Sequence, residues 1–295
     1  MSSLLVEVRT KMSIHAHEKV RGLLAGEYAS VHKGRSMDFD DLREYQRGDD
    51  VKDIDWKATA RSAHVLLKRY VAVKKHNVLL VVDTGRTMSA TAAGGGSKRD
   101  VAVLSTGVMG HVATQHGDLV GLACGDADGV TYLPLRGTSG HLETLLQRIH
   151  GRIRPDGAAQ DLLALLDSVR RTITRRMIVL IVTDEVDLGP AHEEVLRRLR
   201  VQHEVLWLTI SDAELTDDRF AGRDLLDVDA LQRLPAALRD DPQLRREHAA
   251  ALAAARGGRD ALLRRVGIAA ERIGSDAEVI PAVFRLLEKQ RAARG

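Results

Sequence analysis

Val78-Leu79-Leu80-Val81-Val82-Asp83 is an unbroken apolar run that stops on a carboxylate, and Met177-Ile178-Val179-Leu180-Ile181-Val182-Thr183-Asp184 repeats the pattern later in the chain. Neither run alternates polar with apolar residues, so each reads as a strand buried on both faces. That is the signature of a parallel sheet covered by helices on either side. Further strands are expected at 119–124, 130–135 and 204–210, separated by helical patterns at 99–115, 141–149, 161–172 and 193–199. Gly94-Gly95-Gly96-Ser97 breaks the chain just before the first of these helices. The C-terminal stretch, rich in Ala, Leu, Arg and Asp as in Leu234-Pro235-Ala236-Ala237-Leu238-Arg239, reads as helices around Asp241-Pro242 and Gly257-Gly258, then a short strand at 269–273 and a helix at 277–290. The fold class is therefore α/β: a doubly wound, mostly parallel sheet with helices on both faces. The first part of the chain does not alternate in this way. It divides the sequence into an N-terminal extension, 1–75, and the α/β domain with its helical C-terminal part, 76–295.

Composition narrows the function. The 295 residues are 44% hydrophobic and 29% charged, a globular balance. Lys and Arg number 44 against 41 Asp and Glu, a formal charge of +3. Basic pairs such as Arg175-Arg176 and Arg197-Arg198 sit beside acids or within helical segments, so a nucleic-acid partner is not expected. The single cysteine, Cys124, lies in an apolar strand and cannot form a disulfide within the chain, which fits a reducing cytoplasm. No run has signal-peptide character or approaches the ~20 apolar residues of a membrane span, so a soluble, cytoplasmic protein is expected.

In open α/β sheets ligands gather outside the carboxyl ends of the strands. Asp83 and Asp184 end the two strongest strands, and Thr87 lies four residues after Asp83, in the loop that opens the next helix. One strand-end Asp would read as a helix or turn cap. Two carboxylates and a hydroxyl facing one crevice suit a hard cation such as Mg2+.

Asp83-Thr84-Gly85-Arg86-Thr87-Met88 resembles the Asp-x-Ser-x-Ser metal motif of von Willebrand factor A domains. Residues 34–70 carry Gly34, Asp38-Phe39, Leu42-Arg43, Tyr45, Gly48-Asp49-Asp50, Ile54-Asp55-Trp56 and Ala60-Arg61. That ordered string resembles the signature of the bacterial domain-of-unknown-function family 58, whose members join such an extension to a von Willebrand factor A-like domain. The resemblance implies a non-enzymatic adaptor or scaffold that works with a MoxR-type AAA+ ATPase and presents a client protein. It also implies a metal-ion-dependent adhesion site with a coordination position open to a partner's carboxylate. Asp83, Thr87 and Asp184 match positions of that site. Gly85 supplies no side-chain oxygen, and the loop that would bring a Thr reads Gly157-Ala158-Ala159-Gln160-Asp161. The expectation is a degenerate site with Mg2+ bound weakly or not at all, and a groove that persists for recognition.

The extension packs acids and bases densely between Asp38 and Arg61. Arg43, Tyr45, Asp49, Asp50, Asp55, Trp56 and Arg61 are candidate partner-binding residues, with Tyr45 and Trp56 as anchors. The competing reading is a self-satisfied salt-bridge network, favoured because Phe39, Leu42, Ile54 and Trp56 need a core to enter. The alternative for the whole chain is a Mg2+-dependent phosphatase of haloacid dehalogenase type, whose first motif is Asp-x-Asp-x-Thr; Gly85 stands where its general acid belongs. Gly94-Gly95-Gly96-Ser97-Lys98 lacks the ending of a phosphate-binding loop. His192-Glu193-Glu194 lacks the second His of a zinc protease, and Asp49–Asp55 lacks the Gly and Glu of a calcium loop.

Overall fold

The computed structural model describes residues 3–18, 35–46, 49–62, 64–73, 76–214, 218–220, 225–230, 232–233 and 241–292. The chain forms two compact units, residues 32–76 and residues 1–31 with 77–295.

In the smaller unit β1 (Arg35–Glu44) pairs antiparallel with β2 (Leu66–Val73). The connection is held by short local bonds: Tyr45 N–H to the Val65 carbonyl at 2.8 Å and Asp55 N–H to the Leu66 carbonyl at 2.8 Å. Asp50 caps a 3-10 turn, Val51–Asp53, and Asp55 caps one helical turn, Trp56–Thr59, through the amides of Lys57 and Ala58 at 3.0 Å each. Ile54, just after the 3-10 turn, and Leu67 of β2 are buried and form an isolated antiparallel bridge.

The larger unit opens with α1 (Leu4–Glu18), which the sequence reading grouped with the extension. Leu5 and Val8 of this helix are buried in the main core. Its amino end is fixed by the Glu143 carboxylate, which accepts the amides of Leu4 and Leu5 at 3.1 and 2.8 Å. A Cβ on Gly107 would lie 2.5 Å from Val8, so that glycine is what lets the helices approach.

Six strands build the sheet: β3 (Asn77–Asp83), β4 (Leu119–Asp126), β5 (Gly129–Arg136), β6 (Ile178–Thr183), β7 (Glu204–Ile210) and, after the short ladder of β8 (Leu226–Asp227) with β9 (Gln232–Arg233), β10 (Ala269–Ile273). Their order is β10-β7-β6-β3-β4-β5. All neighbours are parallel except β5, which returns as a hairpin at one edge. This is the doubly wound arrangement expected from the sequence, and the winding reverses between β3 and β6.

Period-2 geometry sends Val78, Leu80 and Val82 into one core and Leu79 and Val81 into the other. The first core is roofed by α1, α2 (Lys98–Gln115), α3 (Ser139–Arg152) and α7 (Asp276–Ala292). The second is roofed by α4 (Leu162–Thr172), α5 (Pro190–Gln202) and α6 (Pro242–Val266). Each buried Val, Leu or Ile side chain contributes roughly 1.5–3 kcal/mol. Asp161 and Asp241 cap α4 and α6 by accepting the amides of Ala164 at 2.9 Å and Gln243 at 2.7 Å.

Helix α6 runs without a break through Gly257-Gly258. Interior glycines each cost about 1 kcal/mol relative to Ala, and the arginines flanking this pair offset that locally. Arg256 forks onto Glu185, and the nearly buried Arg259 donates to the Val186 carbonyl at 3.0 Å. The helix stops at Gly267, whose φ of 76° is the left-handed conformation of a C-terminal cap.

Candidate functional site

Strand β3 delivers Asp83 and β6 delivers Asp184 to the same crevice, at the point where the winding reverses. Asp83 is 1% exposed. Its Oδ1 accepts the Gly85 amide at 2.9 Å, and its Oδ2 accepts the Thr183 hydroxyl at 2.9 Å together with the amide Nε2 of Gln160. The same Gln160 nitrogen donates to Asp184 Oδ1 at 2.7 Å. Gln160 thus bridges the two carboxylates with its donors, the orientation dictated by neighbours whose oxygens accept.

The second Asp184 oxygen accepts Lys98 Nζ at 2.9 Å, and Lys98 also reaches Asp212. Lys98 is 1% exposed. It sits at the first position of α2, and Asp212 follows β7. Burial pushes the Asp184 carboxyl up, but Lys98 and Gln160 outweigh it and hold the group below its usual range. Burial likewise works against the Lys98 ammonium, and the two carboxylates reverse the balance and raise it. Asp212 is raised, by burial above all, in spite of Lys98. Thr87 leans toward Asp184, close enough to help keep it ionised, yet its buried hydroxyl completes no hydrogen bond of ordinary geometry.

Neighbouring strand-end acids are matched in the same way. Asp126, the last residue of β4, takes Arg152 on both oxygens at 3.0 and 2.9 Å and the Thr84 hydroxyl at 2.7 Å. Glu185 takes Arg256 at 2.9 Å on each oxygen.

The donors do not fit an adhesion-type Mg2+. Mg2+ needs oxygen acceptors in a tight octahedron, whereas here an ammonium and an amide NH2 lie against the carboxylates. Among the described residues no group of three or more His, Cys, Asp or Glu could hold a metal ion. Gly85 has a steric cause: a Cβ there would lie 2.6 Å from the Gln160 Cα, so the bridging loop fits only over a glycine.

Above this floor lies a cleft of about 520 Å³. Thr87, Lys98, Gln160, Asp184 and Asp212 line its base, and Pro155, Phe220, Leu225, Val228 and Leu252 supply apolar wall. Leu226 at its rim is 59% exposed.

Asp83, Thr87 and Asp184 therefore lie together at the strand ends. The candidates in the extension lie in the other compact unit. There Arg43 stands on β1 opposite Leu67, and Asp49 accepts the Gln46 amide at 2.8 Å. Asp50 and Asp55 are caps, and Arg61 is exposed. Tyr45 is 38% and Trp56 64% exposed, which corrects the expectation that Trp56 enters a core; it begins a single helical turn and projects outward. Sequence reasoning missed Lys98 and Asp212. The signal available was that β7, like β3 and β6, runs into an acid, Ile210-Ser211-Asp212.

Burial first, and then the charge of Asp184, push Asp83 up to about 7. A carboxyl whose folded pKa exceeds its unfolded one favours folding at low pH, and that contribution is lost as pH rises through the folded value. Between pH 6 and 8 the wild type is expected to lose about 1.4 kcal/mol relative to Asp83→Asn. Urea unfolding of both proteins across that range checks it, and parallel curves would refute the assignment.

Strand order, reversal point and crevice together define a doubly wound α/β domain of the kind the von Willebrand factor A resemblance implied. The chain belongs to the family described as protein of unknown function DUF58, which matches residues 41–257. It is 28% identical over 293 residues to uncharacterized proteins of Mycobacterium tuberculosis and Mycobacterium bovis, covering 98% of this chain and 90% of each relative. Among solved structures it is similar to an aerotolerance-related membrane protein from Bacteroides fragilis (14% identity, 72% of this chain and 99% of that one, TM-score 0.46). It is also similar to a von Willebrand factor type A protein from Catenulispora acidiphila (10% identity, 75% and 44%, TM-score 0.41). No helix among the described residues is long and apolar enough to cross a membrane.

Proposed function

We propose that the chain is a non-enzymatic, cytoplasmic protein-binding adaptor that receives its partner at the strand-end cleft. The observation that carries this reading is that the strand-end acids are matched inside the protein: Asp83 by Gln160 and Thr183, Asp184 and Asp212 by Lys98, Asp126 by Arg152 and Glu185 by Arg256. A nucleophile or general base needs an oxygen within reach of substrate, and the buried Asp83 has both oxygens engaged. That disfavours the phosphatase alternative. What the cleft offers is shape and apolar wall with a polar floor, the makings of a recognition surface. The family resemblance supplies the proposed partner, a MoxR-type AAA+ ATPase, with a client protein bound in turn. The exposed Trp56 and Tyr45 are proposed as secondary anchors.

The test is pull-down of a purified MoxR-type ATPase by wild type, Leu226→Glu and Trp56→Ala, beside a phosphate-monoester hydrolysis assay. Recovery by wild type and loss in Leu226→Glu is the expected result. Retention in Leu226→Glu with loss in Trp56→Ala would overturn the cleft assignment. Failure with wild type would overturn the partner, and hydrolysis that disappears in Asp83→Ala would overturn the non-enzymatic reading.

A further inference from the structure

An isolated ammonium is among the least favourable groups to place in a protein interior, because it leaves its hydration behind. Lys98 is 1% exposed and nonetheless sits at the focus of the strand-end crevice. The helix that carries it gives no help: Lys98 is the first residue of α2, and a helix amino end already bears partial positive charge. Among the described residues, the carboxylates of Asp184 and Asp212, which converge on Nζ from the ends of two adjacent parallel strands, make the position tenable. The backbone brings them there on purpose-built connections. Lys98 N–H donates to the Ala90 carbonyl at 3.0 Å, Ala92 bridges to Asp212, and Ala93 N–H donates to the Ser211 carbonyl at 2.9 Å. The segment between β3 and α2 is thereby tied to the end of β7, and the lysine is aimed inward.

The geometry points to Lys98 as a tethered cation that takes the place of a divalent metal ion at the strand ends. It supplies the positive charge that binds β6 and β7 to the start of α2, and Gln160 supplies the donors that join Asp83 to Asp184. The crevice is complete without metal and has no coordination position to offer a partner's carboxylate. The acids that would have served a metal are still present, so removing the lysine creates a cation site. Asp184, Asp212 and the Thr87 hydroxyl would face the vacated position, and two carboxylates with water in the other places are enough for a small hard cation. This inference concerns the floor of the cleft and does not depend on what its mouth receives.

The test is Mn2+ binding, read as loss of the free-ion electron paramagnetic resonance signal, by full-length wild type, Lys98→Ala and Lys98→Arg. Wild type and Lys98→Arg are expected to bind no more than weakly, with Kd in the millimolar range or above. Lys98→Ala is expected to bind at least tenfold more tightly and to gain thermal stability on Mn2+ addition. Micromolar binding by wild type overturns the proposal without any variant being made. Equal binding by wild type and Lys98→Ala overturns it as well. Should Lys98→Ala fail to fold, Lys98→Gln, which keeps a donor for Asp184 but no charge, is read in the same way.

Discussion

Lys98→Met is expected to destabilise the protein by about 3–5 kcal/mol, the scale for breaking a buried ion pair by removing one partner. Methionine matches the lysine stem in length, so lost packing contributes little. What remains is two carboxylates, Asp184 almost wholly buried and Asp212 beside it, with no cation between them. Urea denaturation at pH 7.5 measures the loss. A second substitution separates charge from shape: Lys98→Met with Asp184→Asn removes one of the stranded charges and should recover at least 1 kcal/mol relative to Lys98→Met. If the single variant loses less than about 1 kcal/mol, the lysine is behaving as a surface residue and its central role is wrong.

Gly85→Ser is expected to destabilise by about 3 kcal/mol, the upper end of the overpacking range. The substitution restores the hydroxyl that the adhesion-type motif carries at this position, so a sequence-only view would forecast improvement. The obstacle is backbone: a Cβ at residue 85 meets the Gln160 Cα at 2.6 Å and the Gln160 nitrogen at 2.8 Å, and backbone cannot rotate aside as a side-chain tip can. The 158–161 segment would have to lift, weakening the Arg86 N–H bond to the Ala158 carbonyl, now 2.8 Å, and the Gln160 bridge with it. Gly85→Ser and Gln160→Ala should therefore be less than additive. A serine variant as stable as wild type would mean that the loop is free to move and that Gln160 is not fixed over Asp83.

Much of the sheet was legible because buried parallel strands have a dense local signature. Val78–Val82 and Met177–Val182 have no polar residue to interrupt them; β3 reaches one residue further at each end, and β6 starts one residue later and takes in Thr183. Helix α1 was not recognised, although Leu4/Leu5, Val8 and Met12 recur at helical spacing. Its apolar face is short, and its partner glycine lies far along the chain at Gly107. The continuous α6 was obscured by Gly257-Gly258, whose low propensity is overridden by tertiary anchoring of Arg256 and Arg259, a contact no local window contains.

The site divides along the same line. Asp83 and Asp184 announce themselves because each ends an apolar run. Lys98 does not: in sequence it follows a glycine-rich connector and looks like any solvated lysine at a helix start. Its importance comes from Asp184 and Asp212, which are distant in sequence and meet it only once β6 and β7 are paired. Gln160 was visible only as one residue, beside Asp161, of the 157–161 loop in which a Thr was expected. Its work as a donor bridging two acids depends on geometry across three separate segments. In the extension, Asp50 and Asp55 cap a 3-10 turn and a helical turn, a task suited to short side chains next to free amides that charge density alone does not reveal.

The most direct test is anomalous diffraction from crystals of the wild-type chain soaked in Mn2+. A tethered cation requires Lys98 Nζ within hydrogen-bond distance of Asp184 and Asp212, with no anomalous peak at the strand ends. A Mn2+ peak held by Asp83 and Asp184, with Lys98 displaced toward the cleft, would contradict it and return the crevice to the metal-dependent adhesion sites its motif resembles.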